Sequence, residues 1–192
     1  MALSPFTSGK FRLTSPYGQR VLNGVTQFHK GVDLVGVGST AVCSVCDGTV
    51  LSSQIITDKS NRTWEWGNYV SVQAGDGTVH YYCHLASRSV KKGDKVKRGQ
   101  KLGIMGNTGY SFGAHTHFEV RRNNQSINAA EYLGIPNKVG TYIVKQMTAE
   151  EYIDKIIAKV GYDKPAAVKT ALMGVKHSCP DELFRKIYEK MK

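Results

Sequence analysis

Up to about residue 145 the apolar positions fall in short runs separated by glycine-bearing turns. Val, Ile, Thr and Tyr cluster in Asp47–Leu51, Asn68–Gln73 and Thr78–Leu85, and β-branched and aromatic residues in such runs predict strands. Asp76-Gly77 between the last two predicts a tight hairpin. Most of the 20 glycines lie in this region, as antiparallel strands with many turns require. After about residue 147 the period becomes helical. Thr148-Ala-Glu-Glu151 reads as a capping box opening a helix with Tyr152, Ile153, Ile156, Ile157 and Val160 on one stripe, stopped at Gly161. Pro165 starts a second helix over Ala166–Val175. Ser178 and Asp181 start a third, with Leu183, Phe184, Ile187, Tyr188 and Met191 on one side. The expected architecture is a mainly β domain, antiparallel, over residues 1–145, followed by a small three-helix segment over 146–192.

Composition narrows this picture little, and charge adds to it. A chain of 192 residues with 41% hydrophobic and 21% charged residues is ordinary globular material. No apolar run approaches the roughly 18 residues of a membrane span. The N-terminal stretch lacks the apolar core of a secretory signal, so either a mature form or another route out of the cell is expected. A net charge of +11 implies affinity for polyanions. Arg88, Lys91, Lys92, Lys95, Lys97, Arg98 and Lys101 face only Asp94 in their stretch. No nucleic-acid module signature accompanies them, so a specific nucleic-acid partner is not expected. Anionic wall polymers and a merely solvated lysine-rich turn both stay open.

Cys43 and Cys46 form a C-x-x-C, the spacing of a zinc knuckle or a redox pair. With no second C-x-x-C and no following helix, two small buried or half-buried thiols on a strand Thr40–Gly48 are expected instead.

The chemistry is carried by histidines. In Gly113-Ala-His115-Thr-His117-Phe-Glu119, strand alternation places His115, His117 and Glu119 on one face. In His29-Lys-Gly-Val-Asp33 an imidazole and a carboxylate share a side of an extended segment. Imidazole plus carboxylate is a metal-compatible set, and three protein ligands leave a fourth position to water. These pairs with His84 favour one constellation.

Five motifs in order, His29-x-x-x-Asp33, Gly67-Asn-Tyr-Val70, Tyr82-Cys-His84-Leu85, Gly93-Asp-Lys-Val-Lys-Arg-Gly-Gln-Lys-Leu-Gly103, and Gly106-Asn-Thr-Gly109 leading to His115-Thr-His117-Phe-Glu119, resemble the lysostaphin/LytM-type zinc endopeptidases, which hydrolyse bacterial cell-wall peptides. The resemblance covers roughly residues 12–122. It implies one Zn²⁺ held by His29, Asp33 and His117, with His84 and His115 as catalytic residues lining its open side. His115 is expected as the base and His84 as the transition-state stabiliser, with exchanged roles left open. Glu119 is either a hydrogen-bond partner of a ligand or an ordinary strand carboxylate. Tyr17 and Tyr82 are expected to pack, and His80 to be structural or exposed. The loop Ser52–Trp66, with Trp64 and Trp66, is the expected specificity wall. The resemblance implies hydrolysis of a peptidoglycan amide. The runner-up is a catalytically silent wall-binding module, which the five intact polar positions disfavour. A compact domain, a basic helical appendage and no visible signal together lead to the expectation of a phage or prophage endolysin released during lysis, bacteriolytic at the wall. The helical segment is expected to bind wall or to dimerise.

Overall fold

Buried and exposed residues alternate along the first strand, β1 (Lys10–Ser15), where Phe11 and Leu13 are inward and Lys10 and Arg12 outward. A computed structural model of the chain describes residues 4–61, 64–144 and 149–161. β1 is followed by β2 (Gly18–Leu22), β3 (Val25–His29), β4 (Val32–Gly36), β5 (Ala41–Cys43), β6 (Gly48–Ile55) and β7 (Asn68–Ala74). Then come β8 (Val79–Cys83), β9 (Ser87–Arg88), β10 (Lys95–Val96), β11 (Lys101–Ile104), β12 (Thr116–Arg122) and β13 (Gln125–Ile127). After α1 (Ala129–Leu133), β14 (Gly140–Ile143) and α2 (Ala149–Val160) complete the described elements.

The chain divides into two compact units, Met1–Val144 and Lys145–Lys192. In the first, nine strands form one antiparallel sheet in the order β10-β6-β7-β8-β12-β4-β1-β14, with β13 beside β12. A three-stranded sheet, β5-β11-β9, and the hairpin β2-β3 stand apart from it. The mainly antiparallel β architecture expected from the sequence is therefore observed. The core gathers Phe11, Leu13, Leu34, Val70, Tyr82, Leu85, Leu102 and Phe118. Tyr82 is fully buried and its hydroxyl accepts the Val45 N–H at 3.0 Å, so it packs and does not meet solvent.

Three local readings need correction. The Cys43-Ser-Val-Cys46 stretch is not one strand: β5 ends at Cys43, and the chain turns so that the Ser44 hydroxyl donates to the Cys46 carbonyl at 2.7 Å. Side-chain-to-backbone bonds of this kind compete with a ladder. His29 and Asp33 do not share an extended segment either, because β3 ends at His29 and β4 begins at Val32. A Cβ on Gly31 would come within 2.5 Å of the Phe118 carbonyl oxygen and 2.8 Å of the His117 ring. Finally, the region before residue 145 holds a helix. Asn128 caps α1 by accepting the Ala130 N–H at 3.1 Å, its amide donates to Glu131 at 2.9 Å, and Gly134 closes the helix at φ 75°.

In the second unit α2 buries Ile153, Ile156 and Ile157, leaves Val160 exposed, and stops at Gly161 with φ 72°. The capping Thr148 and the two expected helices beyond Gly161 lie outside the described residues. Among the described residues no helix is long and apolar enough to cross a membrane.

Candidate metal centre and active-site cleft

Strand register assembles the site. Asp33 on β4 lies directly opposite His117 on β12, and His117 lies opposite Cys83 on β8, so His84 follows immediately beside that row. His84 leaves the strand with φ 63°, a left-handed conformation uncommon for a non-glycine residue, and this ends the face it would otherwise share with His80. His29 arrives from the end of the β2-β3 hairpin. His115 sits one residue before β12, on an isolated bridge to Gly106.

The donor atoms of three residues converge. His117 Nδ1 is 3.0 Å from Asp33 Oδ1 and 3.0 Å from His29 Nε2, and His29 Nε2 is 3.2 Å from Asp33 Oδ1. Ligand atoms on a tetrahedral ion with bonds of about 2 Å lie roughly 3.3 Å apart. The triangle is therefore close to one face of such a centre. These three residues are the one group among the described residues with the donor clustering of a metal site. The donor set fits the ion.

Each imidazole is oriented from behind. His29 Nδ1 lies 2.8 Å from the Pro16 carbonyl, His84 Nδ1 2.8 Å from that of Thr108, and His115 Nδ1 2.8 Å from that of Gly113. Nδ1–H donates in each, which assigns the tautomer and turns the Nε2 lone pair toward the centre. His117 is the reverse case: its Nδ1 faces the centre and its Nε2–H points at Glu119 Oε2, 3.5 Å away. Glu119 is buried and in turn accepts Arg121 Nε–H at 2.6 Å, so the carboxylate is a hydrogen-bond partner of His117, one of the three candidate ligands. Arg121 stacks on Tyr81 and Trp66, 4.8 and 5.4 Å from their ring centres.

Electrostatics follow from this crowding. Burial alone would raise the Asp33 carboxyl, but bonds and charge from His117 and His29 outweigh it and hold it well below the carboxylate range. Burial would lower His117, yet Asp33 and Glu119 push it up to about 9. His84 is pushed down to about 3, by burial first and then by His117 and His115.

Two lobes of one cleft meet over the triangle. One, of about 520 Å³, runs past Val21, Phe112, Ala114 and His115; the other, of about 370 Å³, runs past Phe28, Lys30, Glu65 and Trp66. Arg20, Leu22, His84, Tyr110 and His117 border both. Of the two tryptophans in the expected specificity wall, Trp66 lines the cleft and Trp64 stands edge-on to Tyr110 at 5.9 Å. Tyr17 packs edge-on against Phe28 and donates its hydroxyl to the Ser126 carbonyl.

Two cations that hold the carboxylates of the site, Arg20 and Arg121, were not named from the sequence. Arg121 was legible, since it follows Glu119 by two on the same strand face. Arg20 carries no local signal, because only the fold of the hairpin brings it to Asp33.

Two imidazoles and a carboxylate converging in an open cleft, with two further imidazoles beside them, are the equipment of a metal-dependent hydrolase. Residues 27–129 match peptidase family M23, and the chain belongs to that family. It is 37% identical over 123 residues to peptidoglycan DD-endopeptidase ShyA of Vibrio cholerae, covering 62% of this chain and 27% of that protein. The chain spans about a quarter to a third of the length of the curated relatives it matches. Among solved structures, the catalytic domain of lysostaphin from Staphylococcus simulans superposes with a TM-score of 0.55 at 29% identity, over 65% of this chain and 92% of that one. A zinc-containing peptidase from Vibrio cholerae gives 0.56 at 29% identity, over 67% of this chain and 39% of that one.

Proposed function

We propose that the chain is a zinc endopeptidase that hydrolyses an amide of peptidoglycan stem peptides or cross-bridges. The observation that carries the reading is the His29–Asp33–His117 triangle opening onto a cleft. The zinc-containing and peptidoglycan-cutting proteins of the same family support the choice of metal and substrate.

In this reading His29 Nε2, Asp33 Oδ1 and His117 Nδ1 would hold Zn²⁺, which would lower the pKa of water and polarise a carbonyl. His115, with Nδ1–H committed to Gly113, offers Nε2 as acceptor for the proton that attacking water releases. His84 is neutral at rest, so it donates to the tetrahedral oxygen or the leaving amine only after gaining a proton. Their rings are 4.7 Å apart, close enough for the roles to be exchanged. A groove lined by strand ends suits an extended peptide. The exposed lysines of the Lys91–Lys101 stretch favour anionic wall polymers, and the unit from Lys145 onward is assigned to wall binding or self-association. Breakdown of the wall during phage release is the setting this enzyme would serve as an endolysin.

The test is release of amino groups from purified peptidoglycan by the wild type, by chelated protein with zinc restored, and by His117→Ala. Release that disappears with chelation, returns with zinc and is absent in the variant supports the reading. Binding to walls of every type tried without amine release overturns it in favour of a silent wall-binding module.

A further inference from the structure

We propose that Arg20 is a positioning residue of the metal centre, dividing the two oxygens of Asp33 so that a single one is offered to the ion. The proposal rests on the zinc reading above. Arg20 Nη1 donates to Asp33 Oδ2 at 3.0 Å and to Ser15 Oγ at 2.8 Å. The other oxygen, Oδ1, lies 3.0 Å from His117 Nδ1, 3.2 Å from His29 Nε2 and 3.5 Å from His115 Nε2. One carboxylate thus has one oxygen turned to a fixed cation and the other to the imidazole cluster. A charge-assisted bond from the rigid guanidinium fixes the carboxylate plane, which a freely rotating aspartate would not keep. Bidentate ligation, which would use the coordination position that water needs, would make Oδ2 share itself between the ion and Arg20, so the Arg20 bond weakens Oδ2 as a donor and favours ligation through Oδ1 alone.

Arg20 also acts on a second ligand. It lies on β2, whose register with β3 pairs Arg20 with Gln27 and Gly18 with His29. This hairpin pairs with no other strand, and Val21, Val25 and Phe28 on it are exposed. Its anchorage comes from side chains, and the Arg20–Asp33 bond joins the strand that leads to His29 to the strand that carries Asp33. Losing it loosens two of three ligands together.

Cobalt(II) titration of the metal-free protein tests this, with affinity read by competition against a chromogenic chelator and coordination by the visible ligand-field bands. Arg20→Ala is expected to weaken cobalt binding about 10- to 100-fold, the range for removing a group that orients a ligand. Its bands should weaken as Asp33 turns bidentate and coordination rises above four. Arg20→Lys should recover part of the affinity, and less of the band intensity, because an ammonium supplies charge without the planar fork. Arg20→Gln, of similar length but neutral, serves if the alanine variant fails to fold, and the same loss is expected. A folded Ala or Gln variant with wild-type affinity and spectrum overturns the proposal and leaves the zinc reading intact. Wild type that binds no cobalt overturns both.

Discussion

His80 lies near the start of β8 and His84 one residue past its end, four residues apart, and both are buried. Burial pushes His80 down to about 4, and burial with the charges of two neighbouring histidines pushes His84 down to about 3. By those measures they are alike. Their surroundings differ. His80 stacks on Phe118 at 6.2 Å, meets Tyr132 at 5.0 Å and has Cys46 Sγ 3.4 Å from Nδ1, while its Nε2 has no hydrogen-bond partner among the described residues. His84 is tied by Nδ1 to a carbonyl and turns its other nitrogen into a cleft where three more imidazoles meet. A depressed imidazole marks burial. The convergence of free ring nitrogens on an open space marks chemistry. The same contrast applies to the cysteines: burial pushes Cys46 up to about 11 and Cys43 to about 12, so both stay protonated thiols.

The comparison is broken most forcefully by substitution at these positions. His84→Ala and His115→Ala should each lower kcat about 10²- to 10⁴-fold while the protein still binds metal. His80→Phe, which keeps the ring stack and removes an unpaired nitrogen, should leave kcat of the folded protein unchanged. Wild-type turnover in His84→Ala, or a loss of similar size in His80→Phe, would erase the distinction.

A second effect separates the two in stability. The folded pKa of His80, about 4, lies below its ordinary value of 6.5, so the folded state binds fewer protons than the unfolded one between these limits. Its contribution is present above pH 6.5 and is lost as pH falls toward 4, by roughly 3 kcal/mol, from about 2.5 pKa units at 1.36 kcal/mol each. Urea midpoints of metal-free wild type and His80→Phe, compared at pH 7 and pH 4.5, should shift in the variant's favour at the lower value, and an unchanged difference would remove this effect.

A smaller change is expected behind the ligands. Glu119→Gln replaces the carboxylate that receives His117 Nε2–H and should weaken zinc binding about 10- to 100-fold, measured by chelator competition. The smallest effect per step is one of pH. His117, pushed up to about 9, holds a proton in the metal-free protein that the ion must displace. Metal affinity should therefore rise about tenfold per pH unit below that value and level off above it. The sign for stability is opposite to that of His80: the metal-free contribution of His117 is complete below pH 6.5 and is lost as pH rises through about 9.

Much of this was legible along the chain. Short runs of β-branched and aromatic residues with Asp-Gly turns pointed to the antiparallel β domain, because such runs with glycine punctuation admit few other structures. Motif order led to the family. The five polar site candidates were named from local spacing of metal-compatible side chains together with the motif resemblance. What the period could not supply was anything that depends on which strand lies beside which. Gly31, between His29 and Asp33, has no room for a Cβ beside the Phe118 carbonyl and the His117 ring, a constraint set by the neighbouring strand. The α1 cap at Asn128 was readable, and was hidden by the surrounding β pattern.

By itself, then, the sequence determined the fold class, the family and the identity of the groups that can do chemistry, since these rest on local periodicity and side-chain type. The tertiary structure alone decided that Arg20 faces Asp33 and that His84 turns into the cleft while His80 turns away. Those contacts join residues on different strands or reverse a strand's own alternation. Cross-strand register and a left-handed backbone at one residue are settled by packing of the whole sheet, which no short stretch of chain encodes.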